Sequence, residues 1–130
     1  MRTVLLIFLL GYLAYGQNLD NHLWKNRVVI IFTNVDTKPK GKEQLQAFQP
    51  FSSEIEDREM IILVPSKAEK PKLLERFRLA EDHSGLILVG KDGSIKLKQK
   101  LVVKPQTLFN LIDTMPMRRA ELRSKSKKPD

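Results

Sequence analysis

Apolar residues along this chain fall into two kinds of run. Arg27-Val-Val-Ile-Ile-Phe-Thr33 and Met60-Ile-Ile-Leu-Val64 are continuous and rich in β-branched residues, which predicts strands covered on both faces. Leu86-Ile-Leu-Val-Gly90 is a third such run. Ser94-Ile-Lys-Leu-Lys98 instead alternates, so Ile95, Leu97 and Leu101 are expected on one side of a strand and Lys96, Lys98 and Lys100 on the other, with a wet face or a free edge. Lys91-Asp92-Gly93 between these two runs is a turn signal for an antiparallel hairpin.

The second kind of run has helical spacing. After a Pro/Lys/Gly-rich loop from Val35 to Lys42, residues Leu45, Phe48, Ser52 and Ile55 fall on one side, and Pro50 must kink or split the helix that carries them. Ser66-Lys-Ala-Glu69 has the form of a capping box, although Pro71 could equally mark the first turn. Leu73, Leu74 and Phe77 supply the apolar stripe of that short helix. Pro105 opens a last helix, with Leu108, Leu111, Ile112 and Met115 at core-facing spacing until Pro116 intervenes. Residues 119–130, rich in Lys, Arg, Ser and Pro, read as a basic flexible tail.

Two buried strands joined through a helix make a right-handed parallel crossover. The predicted order is therefore β-α-β-α-β-β-α: an α/β fold with a four-stranded mixed sheet flanked by helices, in the thioredoxin-like sequence of elements. Trp24, just ahead of the first strand, reads as a packing residue because nothing aromatic surrounds it.

At the amino terminus, Val4 to Leu13 is almost entirely apolar and Ala14-Tyr15-Gly16 supplies the small residues a signal peptidase reads. A bilayer core needs about 20 apolar residues, so this run predicts a cleaved signal peptide over 1–16 and a secreted or periplasmic domain over 17–118, with no membrane span after cleavage. The 130-residue chain contains no cysteine, which removes disulfides, cysteine metal sites and thiol redox chemistry together.

Three phrases, Trp24-Lys-Asn-Arg-Val-Val-Ile-Ile-Phe32, Gly85-Leu-Ile-Leu-Val-Gly-Lys-Asp-Gly93 and Ile112-Asp-Thr-Met-Pro-Met-Arg-Arg119, closely resemble the P-DUDES family. That family is a thioredoxin-like domain found alone in small bacterial exported proteins and within animal extracellular proteins such as equarin and the sushi-repeat-containing proteins. The resemblance implies fold and compartment, and it brings no active site with it.

Where thioredoxins carry their cysteine pair, after the first strand, this chain has Thr37-Lys38-Pro39-Lys40, and the proline they place before the third strand is replaced near His83-Ser84. A threonine hydroxyl forms no low-pKa thiolate, so that route to oxidoreductase or peroxidase activity is closed. A non-thiol site is the enzyme alternative. It would draw on Asp36, Thr37, Lys38, Lys40, His83 and Ser84, which must then converge within hydrogen-bond reach. With only His22 and His83 and no clustered carboxylates, no metal site is predicted. No glycine-rich phosphate loop is present either, so no cofactor is expected.

The formal net charge is +8, and from Arg118 onward six basic residues face two acidic ones. Lys96, Lys98 and Lys100, extended by Arg118, Arg119, Arg123, Lys125, Lys127 and Lys128, form a candidate anion-binding ridge for an unidentified protein or polyanionic partner. Guarding an exposed strand edge and keeping a small protein soluble are the competing roles for the same lysines. The ridge lacks interleaved aromatics, which argues against single-stranded nucleic acid.

Overall fold

The computed structural model describes residues 19–126; the predicted signal segment 1–16 and the basic residues Lys127 and Lys128 lie outside the described residues. The strands are β1 (Arg27–Phe32), β2 (Met60–Leu63), β3 (Gly85–Val89) and β4 (Ile95–Gln99), and the helices α1 (Lys38–Phe48), α2 (Ser52–Asp57), α3 (Glu69–Arg76), α4 (Pro105–Asp113) and α5 (Pro116–Ser126). The sheet order is β2-β1-β3-β4. β1 pairs with β2 in parallel, while β1–β3 and β3–β4 are antiparallel. This mixed sheet with its parallel pair is consistent with a thioredoxin-like α/β fold.

Continuous apolar runs form the inner strands because both faces are covered. Val29, Ile31, Leu86 and Leu88 pack under Phe48, Ile55, Leu108, Phe109 and Ile112 from α1, α2 and α4. Val28, Ile30, Phe32, Ile87 and Val89 pack on the other side under Leu19, Leu73 and Leu74. Pro50 splits its helix as expected, leaving a 3-10 turn at Gln49–Phe51 between α1 and α2. The capping box forms: Glu69 N–H donates to Ser66 Oγ at 3.2 Å and Ser66 N–H to Glu69 Oε1 at 3.3 Å. In the hairpin, Gly93 adopts φ +84°, the left-handed region that its turn requires.

Three expectations are corrected. Trp24 is not a packing residue: it is 67% exposed in a left-handed turn, its N–H donating to Lys91 O at 2.7 Å, and Leu19 and His22 take the inward positions of that segment. The lysines of β4 are not in register. Leu97 pairs with Leu88 but Ile95 with Val89, so Lys96 occupies a bulge, and Ile95 turns to the face that Lys98 shares. Finally, the segment read as a tail from residue 119 continues a helix to Ser126. Pro116 stops α4 and opens α5, the first-turn position where a missing N–H costs nothing.

Candidate functional site

The carboxyl ends of β1 and β4 lie at one end of the sheet, because Phe32 pairs with Gly85 and Leu86 with Gln99. Here the loop after β1 meets the segment leading into β3, and part of the predicted constellation does come together. Ser84 Oγ donates to Thr37 Oγ1 at 2.7 Å, and the Asn34 N–H donates to the same oxygen at 2.9 Å. Asn34 Oδ1 accepts from the backbone N–H groups of Asp36 and Thr37, each at 3.0 Å, and its Nδ2 reaches Asp82 O at 3.2 Å. Thr37 thus lies inside an Asx-turn lock that fastens two loops, with its hydroxyl fully engaged.

The remaining members are elsewhere. His83 turns away from Ser84 and sets its ring edge against Phe32, 5.6 Å between centroids. Its Nε2 is buried without a hydrogen-bond partner, and burial, reinforced by the Lys98 charge, holds its pKa below the ordinary value. Asp36 and Lys38 are exposed, and no side-chain hydrogen bond or ion pair joins either to Thr37, His83 or Ser84. No base therefore reaches the paired hydroxyls, which a Ser/His or Thr/His mechanism requires.

At the opposite end, where β1 begins, stands a charge network that crosses the chain. Buried Arg27 donates to Glu121 Oε2 at 2.9 Å and Oε1 at 3.3 Å, and Lys91 reaches the same carboxylate at 3.0 Å and Glu59 at 3.3 Å. Arg118, 2% exposed, pairs with Asp57 at 2.6 Å and Asp113 at 3.1 Å, and Lys125 also meets Asp57. Arg58 holds Asp113 at 2.8 Å while lying 4.6 Å over the Phe109 ring. Hydrogen bonds from Lys125 and Arg118 pull Asp57 down to about 2. Burial opposes ionisation at Asp113 and Glu121, yet their cationic partners outweigh it and leave both below the usual carboxylate range.

A family described as a domain of unknown function (DUF4174) matches residues 18–121. The chain belongs to this family. No curated protein matches it. The matched stretch of this DUF4174 domain runs past Arg118 to Glu121, so the ion pairs that seat α5 fall largely within it.

The network redistributes the basic residues of the DUF4174 domain. Arg118 is buried, Lys125 is paired with Asp57 and Lys96 with Asp92 at 3.1 Å, while Arg119 and Arg123 are exposed on α5. Lys98 and Lys100 are exposed at the far end of β4, so the single ridge expected from sequence is two separate groups. The group at the carboxyl end gains members that the sequence pattern missed. Buried Gln44 of α1 donates to Val103 O at 2.8 Å and accepts from Val103 N–H at 2.7 Å, clamping the segment after β4 against α1. Exposed Lys104 follows Val103 directly and exposed Lys40 lies one helical turn before Gln44. Among the described residues, Lys38, Lys40, Lys98, Lys100 and Lys104 make no ion pair. Neither a metal-ligating cluster nor a helix long and apolar enough to cross a membrane occurs among the described residues.

Proposed function

We propose that this DUF4174 domain is an exported, redox-inactive binding module of thioredoxin-like build, akin to the P-DUDES domains, which engages an anionic partner through the lysines at the carboxyl end of its sheet. The observation that carries this reading is the contrast between the two ends. At the α5 end most cations are spent on carboxylates of the same chain, whereas Lys38, Lys40, Lys98, Lys100 and Lys104 are exposed and unpaired. Guarding the edge strand β4 accounts for Lys98 but not for Lys40 or Lys104, which lie on α1 and just before α4. Unpaired cations clustered at one end of a small domain create a positive potential that concentrates polyanions.

The Thr37–Ser84–Asn34 lock supports a non-catalytic role, since its hydroxyls fasten loops and meet no base. Export rests on the predicted signal segment and on a cysteine-free composition that needs no reducing compartment. The test is binding of a heparin oligosaccharide, as a sulfated polyanion, to the wild type and to the K98E/K100E double variant. The reading expects saturable binding that falls at least tenfold in the variant; equal affinity for both proteins, or none for the wild type, contradicts it.

A further inference from the structure

We propose that the cavity between the β3–β4 hairpin and the start of α5 is a binding site for a small carboxylate carrying an apolar body. The cavity measures about 250 Å³ and is bordered by Arg27, Lys91, Asp92, Lys96, Met115 and Met117, with Gly90 as part of its wall. At about 30 Å³ per water it has the room of roughly eight waters, which suits a ligand of eight to ten non-hydrogen atoms.

Its chemistry is divided. Met115, Pro116 and Met117 form an apolar side, with thioethers that pack adaptably against aromatic rings. The opposite side sets three cations, Arg27, Lys91 and Lys96, against one lining carboxylate, that of Asp92. Arg27 and Lys91 already seat one carboxylate, that of Glu121, by three donor contacts at 2.9 to 3.3 Å, so the end of the sheet is built for that group. Arg27 spends three hydrogen bonds on Glu121 and on Arg58 O, out of the five N–H groups of a guanidinium. Lys96 spends one, on Asp92, whose carboxylate also takes the Ser94 N–H at 3.0 Å and the Ser94 hydroxyl at 2.8 Å. Lys96 therefore keeps donors for an incoming anion. Lys96 packs directly over Gly90: a Cβ there would come within 2.6 Å of Lys96 Cε, so a side chain at this position must displace the Lys96 ammonium arm.

The site lies at the opposite end of the sheet from the unpaired lysines and stands independently of the polyanion reading. Methionine methyl NMR of the full chain tests it. Met115 and Met117 border the cavity, and buried Met60 serves as an internal control. Sodium benzoate should shift the Met115 and Met117 methyl signals saturably and leave Met60 in place, while benzamide, which keeps the ring without the charge, and acetate, which keeps the charge without the ring, should not. Lys96→Met should weaken benzoate at least fivefold, and Gly90→Ala should weaken it by displacing Lys96. Benzamide binding as tightly as benzoate, no saturable shift at Met115 and Met117, or unchanged affinity in both variants overturns the proposal.

Discussion

Thr37 decides what the corner after β1 can do. Its oxygen accepts from Ser84 and from the Asn34 N–H, and it donates to Asn34 Oδ1 at 3.1 Å, so Thr37→Val leaves partners on two loops without their hydrogen bonds. A loss of about 1–3 kcal/mol is expected in urea unfolding, with no change in polyanion affinity. His83 and His22 share a different condition: each has a buried, unpartnered Nε2, and burial lowers both pKa values below 6.5. A base whose folded pKa is depressed stabilises the fold above its unfolded pKa, and that stability is lost as the pH falls through the folded value. NMR titration should place both imidazole midpoints below 6.5, and unfolding free energy should decline as the pH drops from 7 towards 5. The sequence displayed His83 and Ser84 as neighbours at the right corner. That they part company, one towards Phe32 and the other towards Thr37, follows from the local backbone, which adjacency alone does not reveal.

α5 was illegible in the sequence for a physical reason. Its inward contacts are made by Arg118 and Glu121, so a search for an apolar stripe finds none and the segment passes for a charged tail. The capping box at Ser66–Glu69 and the split at Pro50 were legible because local chemistry fixes both. The bulge at Lys96 was not, since the sequence preserves an unbroken alternation across it. For α5 the consequence is a dependence on charge. Arg118→Met leaves the partly exposed Asp57 and Asp113 with Lys125 and Arg58 as partners and should cost about 1–3 kcal/mol, whereas Glu121→Gln leaves buried Arg27 and Lys91 without their shared carboxylate and should cost about 3–5 kcal/mol in thermal or urea unfolding. The carboxylates Asp57, Asp113 and Glu121 have lowered pKa values, so their contribution is present above the unfolded value of about 4 and is lost as the pH falls through the folded values. Protection factors of the amides of residues 116–126, with exchange rates corrected for their intrinsic pH dependence, should stay high at pH 5 and fall sharply on approach to pH 2.

On the scale of the molecule, element order and the parallel crossover were legible because continuous apolar runs, a turn signal and a handedness rule leave few topologies open. The distribution of charge was not, because a net charge says nothing of which cations find carboxylates far along the chain, such as Arg27 and Glu121. The sheet sets the two charged ends about 17 Å apart, the length of a five-residue strand. At one end most cations are paired with carboxylates of the same chain, and the other presents its lysines to solvent. The most direct measurement is the salt dependence of heparin-oligosaccharide binding for the wild type, K98E/K100E and R119E/R123E. Each ionic contact removed should lower the log–log slope by roughly one unit. The account predicts a slope about two units shallower for K98E/K100E and nearly unchanged for R119E/R123E; the reverse pattern would place the binding surface on α5 and contradict it.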